Sequence, residues 1–185
     1  MKAGVLALQG DFREHAAMLA ECGATPILVR TPEELASVQC LAIPGGESTT
    51  IARLARRHEL VEPIQRRVGE GMPVFGTCAG MIVMATRVED GEPLLRLMDV
   101  HVKRNAYGRQ VDSFEADVEV REVGSVRGVF IRAPQVLEVG PGVEVLAEHA
   151  GRPVVIQEGN LLAAAFHPEI ARDPRLHELL MSLAR

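Results

Sequence analysis

A cysteine in a glycine-rich segment is the residue of this chain best suited to covalent chemistry. Residues 76–80 have the sequence G-T-C-A-G and lie between a predicted strand and a predicted helix. Small residues allow the sharp strand-to-helix turn that presents a nucleophile, here Cys78. A helix beginning at Ala79 would favour the thiolate, and the Ala79 N–H would be a ready donor to an oxyanion. The alternative is an ordinary glycine-rich turn around an inert cysteine.

A histidine and a glutamate near the C-terminus could complete a catalytic triad with this cysteine. His167 follows an apolar predicted strand, 89 residues after Cys78, and Glu169 stands two residues later. An imidazole at a strand end can accept the thiol proton and later protonate a leaving amine. A carboxylate beside it can hold the required tautomer. Taken alone, the segment would instead be interpreted as a turn in which His167 bonds a backbone carbonyl; together with the cysteine, the triad is favoured.

A third loop, residues 44–49, follows another predicted strand and contains two adjacent glycines. Its backbone N–H groups could approach a ligand closely, and the helix start behind it would favour an anionic group. The alternative is a turn with a helix cap at Ser48 or Thr49. Arg104 and Arg132 carry guanidinium groups that could bind a substrate carboxylate through two hydrogen bonds, although most arginines are simply solvated.

The elements that must position these residues alternate between strand and helix in the first half of the chain. This alternation predicts a parallel sheet covered on both faces. The predicted strands are Val5–Leu8, Pro26–Val29, Cys40–Ile43 and Pro73–Gly76. The predicted helices are 11–22, capped by Asp11; a short one capped by a box at Thr31; 48–70, broken near Pro63; and Met81–Thr86.

The second half has a different pattern and predicts antiparallel additions to the sheet. The corresponding segments are Ser113–Val120, Val129–Ile131, Val143–Ala147 and Val154–Ile156. A last buried strand over Leu161–Phe166 and a helix over Pro174–Leu183 close the chain. We therefore predict one α/β domain over residues 1–185, a three-layer sandwich with a mixed, mostly parallel central sheet. In such sheets, sites gather beyond the carboxyl ends of the strands.

Composition narrows the classes of function. The 185 residues carry a formal net charge of −5, and aromatic residues make up only 3%. A general nucleic-acid or anionic-membrane binder needs a basic face, so both classes are disfavoured. Three cysteines, with no paired spacing, fit neither a disulfide scaffold nor a zinc site, and a reducing cytoplasm is expected. Cys22 and Cys40 are predicted core residues, and the core is expected to consist of Val, Leu, Ile, Ala and Met.

Taken together, these motifs resemble those of the class I glutamine amidotransferases. The broad class is carried by Cys78 in G-T-C-A-G, by His167 and Glu169 in F-H-P-E, and by the two glycines before Glu47. Within that class the chain is similar to the glutaminase subunits of pyridoxal 5′-phosphate synthase. This narrower resemblance rests on residues 4–10, 13–15, 44–50, 104–114 and 130–134.

The resemblance implies a flavodoxin-like fold and hydrolysis of L-glutamine to L-glutamate and ammonia. Cys78 would attack the side-chain amide, His167 would shuttle the proton and Glu169 would orient His167. The oxyanion would be held near Gly46 and Ala79. The implied glutamine-binding residues are Gly46, Glu47, Ser48, Arg104, Ile131 and Arg132. No cofactor and no metal are implied.

The resemblance also implies a partner. Ammonia would pass to a separate synthase subunit in a hetero-oligomeric complex that makes the vitamin B6 coenzyme. Docking would activate the glutaminase, in part through the Gly45–Gly46 peptide and Gln9. Two alternatives remain at this point: an amidotransferase subunit or γ-glutamyl hydrolase of another pathway, and a catalytically silent module that only regulates a partner.

Overall fold

The computed structural model describes residues 1–104 and 113–184, and in this part of the chain it has twelve strands and six helices. The strands are β1 (Lys2–Leu6), β2 (Thr25–Val29), β3 (Cys40–Ile43), β4 (Val74–Thr77), β5 (Ala85–Glu89), β6 (Met98–Lys103), β7 (Phe114–Val120), β8 (Gly124–Phe130), β9 (Gln135–Val139), β10 (Glu144–His149), β11 (Arg152–Glu158) and β12 (Leu161–Ala164). The helices are α1 (Phe12–Glu21), α2 (Pro32–Ala36), α3 (Ser48–Arg57), α4 (Val61–Gly69), α5 (Ala79–Met84) and α6 (Arg175–Leu183).

Seven strands form the central sheet, in the order β10-β11-β12-β4-β3-β1-β2. The five strands from β12 to β2 are parallel, and β10 and β11 are antiparallel additions. Helix α1 lies on one face of the sheet, where it contacts α6, and α2 to α4 lie on the other face, where α3 contacts α5. The mixed, mostly parallel three-layer sandwich predicted from the sequence is confirmed.

Local sequence explains several element boundaries. At α2 the Thr31 hydroxyl accepts a hydrogen bond from the Glu34 N–H (3.3 Å), while the Glu34 carboxylate accepts one from the Thr31 N–H (3.0 Å). This is the predicted capping box, with Pro32 in the first turn, where a missing N–H costs nothing. Strands β3, β4 and β12 are buried along their whole lengths because helices cover both faces of the sheet.

Two helix predictions were wrong. The 48–70 helix breaks over residues 58–60, where Glu59 takes a φ of 54°, rather than near Pro63. Pro63 lies instead in the first turn of α4, where its nitrogen has no intrahelical acceptor to lose. Asp11 precedes α1, but its side chain makes no capping hydrogen bond, because it faces the functional site instead.

The segments Ser113–Val120 and Val129–Ile131 do not extend the central sheet as predicted. They supply β7 and β8, which pair with each other as a separate antiparallel hairpin. Strands β5, β6 and β9 form a third sheet. The hairpin still reaches the central sheet, because the His167 N–H donates to the Val129 carbonyl (2.8 Å). This contact brings the residues after β8 next to the end of β12.

The core is aliphatic, as predicted, with three fully buried phenylalanines: Phe75, Phe130 and Phe166. Cys40 is buried and Cys22 is partly buried, in agreement with core roles for both thiols. None of the six helices in the described residues has the length and apolar character that a membrane crossing requires.

Candidate active site

The site is built on a sharp turn between β4 and α5. Cys78 takes φ 49° and ψ −105°, a combination that a non-glycine residue adopts only under strain of about 1–3 kcal/mol. The turn is packed too tightly for larger neighbours, since a Cβ at Gly80 would collide with the Ile43 carbonyl oxygen. The glycine-rich segment is therefore a strained strand-to-helix elbow, and the ordinary-turn alternative does not fit its geometry.

The elbow opens into a cavity of about 360 Å³. The Cys78 thiol lies at its wall, 3.7 Å from the Ile131 carbonyl oxygen. The cavity brings together all but one of the residues predicted from the sequence; Glu169 lies behind His167. It is lined by Asp11, Gly46, Glu47, Ser48, Cys78, Ala79, Ile82, Arg104, Ile131, Arg132, His167 and Ile170. Loops that follow separate strands converge here, as expected for a parallel sheet.

His167 and Glu169 stand directly behind the cysteine. The His167 Nδ1 lies 2.7 Å from the Glu169 Oε1, and both residues are buried. Because Nδ1 faces the carboxylate, Nε2 is the ring nitrogen left for the Cys78 thiol, which helps to raise the pKa of His167. The described geometry therefore has the order thiol, imidazole, carboxylate that nucleophilic acyl transfer requires.

The site electrostatics favour a charged imidazole next to a charged carboxylate. Burial acts to lower the pKa of His167, but hydrogen bonds to Asp11, Cys78 and Glu169 outweigh it and raise that pKa to about 12. Burial acts to raise the pKa of Glu169, yet His15 and His167 hold it well below its usual range. Burial also raises the pKa of the Cys22 and Cys40 thiols to about 11, which leaves both largely unreactive at neutral pH.

Asp11 is a site residue that the sequence reasoning missed. Its Oδ2 lies 3.3 Å from the His167 Nδ1, so the imidazole faces two carboxylates. The available signal was its position just beyond β1, at the same sheet edge as Cys78 and His167. The ligand atoms of Asp11, His167 and Glu169 lie within 4.8 Å of one another, the one arrangement among the described residues that could hold a metal ion. In the described geometry both carboxylates already contact the His167 Nδ1.

The loop after β3 approaches the site through its backbone. Gly46 takes a φ of 145°, which an L-residue with a side chain rarely adopts. A Cβ at Gly45 would collide with the His167 ring, so this close approach also requires glycine. The Glu47 N–H donates to the Gln9 Oε1 (2.7 Å), and the Gly45 carbonyl accepts from the Asp11 N–H (3.4 Å). The segment Gln9–Asp11 thus fixes the conformation of the loop.

Charged side chains line the opening of the cavity. The Arg104 Nη2 lies 3.1 Å from the Glu47 Oε1. The Thr49 N–H, the Thr49 hydroxyl, Arg104 and Arg132 together lower the pKa of Glu47, against the opposing effect of partial burial. Arg132 takes a positive φ of 45° beside Ile131. Of the predicted block 104–114, residues 105–112 lie outside the described part of the chain.

Comparison with known proteins places this geometry in a family. Residues 5–184 match the model of the SNO glutamine amidotransferase family. A "Pyridoxal 5'-phosphate synthase subunit PdxT" of Desulforudis audaxviator is 52% identical, over 98% of this chain and 97% of that protein. The protein of the same name from Streptomyces avermitilis is 54% identical, over 98% of this chain and 93% of its own length.

A solved structure agrees with these relatives. A crystal structure described as a glutamine amidotransferase superposes with a TM-score of 0.94 at 49% identity and covers 98% of both chains. The resemblance inferred from the motifs is thus confirmed at the level of sequence and of fold. The chain belongs to the SNO glutamine amidotransferase family.

Proposed function

We propose that this chain hydrolyses L-glutamine to L-glutamate and ammonia, as the glutaminase subunit of a pyridoxal 5′-phosphate synthase. The observation that carries the proposal is the buried Cys78–His167–Glu169 arrangement at the wall of a cavity large enough for an amino acid. The names of the relatives support the assignment to that synthase. The proposal includes a single domain over residues 1–185 and a cytoplasmic location.

Cys78 is the proposed nucleophile. His167 takes the thiol proton, the sulfur attacks the side-chain amide carbon of glutamine, and the carbonyl π electrons move to oxygen. The tetrahedral intermediate collapses as His167 gives a proton to the leaving nitrogen, so that ammonia and a thioester form. His167 then takes a proton from water, whose oxygen attacks the thioester carbon. The C–S bond breaks and His167 returns the proton to sulfur, which gives glutamate and the free thiol. The raised pKa of His167 favours the imidazolium, the form that donates to the leaving nitrogen.

Backbone N–H groups of Gly46 and Ala79 are the proposed oxyanion donors. Both residues line the cavity beside Cys78. Two N–H groups already in position stabilise a developing negative charge without reorganisation, and removing one such donor from an enzyme costs about 10²–10³-fold in kcat. The hydrogen bond from the Glu47 N–H to Gln9 holds the peptide that follows the Gly46 donor.

The cavity opening supplies groups that match the two charged ends of an amino acid. The guanidinium groups of Arg104 and Arg132 suit the substrate carboxylate, and the Glu47 carboxylate suits the α-ammonium. Ser48 and the Ile131 carbonyl add polar contacts on the cavity wall. No step of the proposed route uses a cofactor or a metal.

A synthase subunit is the proposed partner, since ammonia released into water becomes ammonium and loses its nucleophilicity. Coupling hydrolysis to docking would prevent that loss. We propose that docking acts on the Gly45–Gly46 segment through Gln9, whose Oε1 holds the Glu47 N–H at 2.7 Å. Replacing Gln9 with Ala is expected to reduce the stimulation of glutaminase activity by the partner; unchanged stimulation would contradict this role.

The proposed function is tested by measuring glutamate release with and without the synthase subunit. We expect release from wild type to rise when the synthase subunit is added. The Cys78→Ala variant is expected to lose release entirely while it still binds the synthase subunit. Cys40→Ala, a buried cysteine outside the site, is the matched control and should keep activity. Substantial turnover by Cys78→Ala would overturn the assignment of the nucleophile.

A further inference from the structure

A second group of buried polar side chains lies behind the proposed triad and takes no part in the chemistry described above. His15, Thr77 and His177 are each completely buried, although they come from α1, β4 and α6. The His15 Nε2 lies 3.0 Å from the Thr77 Oγ1 and 3.4 Å from the Glu169 Oε1. The His15 Nδ1 lies 2.9 Å from the His177 Nε2.

The contacts of Glu169 show why this group matters. The Glu169 Oε1 contacts the imidazoles of His15 and His167, whereas its Oε2 has no hydrogen-bond partner among the described residues. The hydrogen bond to His167 and the 3.4 Å contact with His15 therefore orient the carboxylate. His167 must also move protons to and from substrate, so it cannot serve as a fixed anchor. His15 supplies the remaining, permanent donor.

The orphaned atoms fix the tautomers of both histidines. The His177 Nδ1 is buried and has no hydrogen-bond partner in the described part of the chain, and an unpaired acceptor there is less costly than an unpaired N–H donor. His177 is therefore protonated at Nε2 and donates to the His15 Nδ1. A neutral His15 then carries its proton at Nε2, which faces Thr77 and Glu169. The opposite tautomer would point a lone pair at a carboxylate oxygen.

Packing holds the two imidazoles in place. The Phe75 ring meets the edges of both, with ring centroids 6.3 Å from His15 and 5.4 Å from His177. Thr77 immediately precedes Cys78, so His15 joins the turn that carries the nucleophile to the carboxylate that orients the base. A side chain that contacts Glu169 and the residue before Cys78 can fix the distance between the two ends of the triad.

We propose that His15 is a positioning residue for this reaction, held in its Nε2–H tautomer by His177 and donating to Glu169 and Thr77. This inference rests on the proposed function, since it assigns His15 a role through Glu169. Loss of the donor leaves the carboxylate free to rotate and misaligns His167. Misplacement of a catalytic group by about 1 Å costs about 10²-fold in rate.

The experiment compares two substitutions in the complex with the synthase subunit. His15→Phe keeps a flat ring and removes the donor, whereas His15→Gln places an amide N–H at the position of Nε2. We expect His15→Phe to lower kcat by about 10- to 100-fold with little change in KM. We expect His15→Gln to recover most of that loss. His58→Gln, at the exposed end of α3, is the matched control and should behave as wild type.

A second measurement uses the unmodified protein and so does not depend on the folding of any variant. Nitrogen chemical shifts of the imidazoles are expected to show His15 protonated at Nε2 and bare at Nδ1. A His15 protonated at Nδ1 alone, or equal kcat for wild type, His15→Phe and His15→Gln, would overturn the positioning role. An inactive wild type, or an active Cys78→Ala variant, would instead overturn the proposed function, and this inference would fall with it.

Discussion

The two sides of His167 are built in opposite ways. Behind it, Glu169, His15 and His177 are 2%, 0% and 0% exposed, and His15 contacts both of the others. In front of it, the ion pair between Glu47 and Arg104 joins side chains that are 53% and 24% exposed. The buried side, Glu169, His15 and His177, which we call the back, is a network with fixed partners. The solvent-exposed side, Glu47 and Arg104, which we call the front, is an ion pair that can exchange partners.

The buried back holds the catalytic groups in place, and the exposed front admits the substrate. Buried polar groups must keep their partners, because an unpaired one costs about 1–3 kcal/mol. Exposed ion pairs contribute only about 0–1 kcal/mol, so a substrate carboxylate can displace Glu47 from Arg104 at little cost. Changes at the back should therefore lower kcat, and changes at the front should raise KM.

The largest expected effect comes from the back. Glu169→Gln keeps the shape of the side chain but removes the negative charge that favours the His167 imidazolium and its Nδ1–H tautomer. We expect kcat for glutamate release to fall by about 10³-fold or more, with KM nearly unchanged. Glu62→Gln, exposed in the first turn of α4, is the control. A Glu169→Gln enzyme with normal kcat would remove the carboxylate from the triad.

At the front the expected effect is smaller and appears in KM. Arg104→Ala and Arg132→Ala each remove a guanidinium from the cavity opening. We expect KM for glutamine to rise by about 10- to 100-fold, equivalent to about 1.4–2.8 kcal/mol, with kcat within a few-fold of wild type. Steady-state kinetics with Arg53→Ala, exposed on α3, as control would check this. A fall in kcat at constant KM would contradict a role for these arginines in binding the substrate rather than in the chemical step.

The smallest expected effect is a change in stability with pH. Burial lowers the pKa of His177 to about 3, against 6.5 for an ordinary histidine. Below pH 6.5 the unfolded chain binds a proton at His177 that the folded chain does not bind. The free energy of unfolding therefore decreases as the pH is lowered, by up to about 1.4 kcal/mol per pH unit. The raised pKa of His167 keeps its own contribution constant below pH 6.5, and the lowered pKa of Glu169 matters only below its unfolded value of about 4.5.

The window between pH 6.5 and 4.5 therefore isolates His177 from the triad. His177→Gln keeps a donor toward His15 but cannot titrate. Urea unfolding at several pH values should give a shallower decline for this variant than for wild type. Parallel declines would show that His177 does not remain neutral in the folded protein.

The sequence predicted most of the sheet because its information is local. The β3 strand and the capping box at Thr31 follow from short segments that carry their own burial pattern and hydrogen-bond partners. Cys78, His167 and the Gly45–Gly46 pair each follow a strand, and parallel strands bring their carboxyl ends to one edge. Their positions directly after parallel strands were thus enough to predict that these residues share one site.

What the sequence could not give depends on tertiary contacts. Asp11 has the type and position of a helix cap, and only the proximity of His167 explains why its side chain turns away. His15 and His177 are 162 residues apart, and no spacing rule connects them. Likewise β7 and β8 carry an alternating pattern that fits either an added sheet edge or a separate hairpin. In the structure they pair with each other as a separate hairpin.

Covalent labelling can show whether Cys78 attacks the glutamine side chain. An electrophilic glutamine analogue, such as a diazoketone, would be incubated with the complex, and peptides would be mapped by mass spectrometry. The account predicts one adduct per chain, on Cys78, with protection by glutamine and no adduct on Cys78→Ala. Because burial raises the pKa of the thiols of Cys22 and Cys40, both should stay unlabelled. An adduct on either of those residues, or labelling that persists without Cys78, would contradict the account.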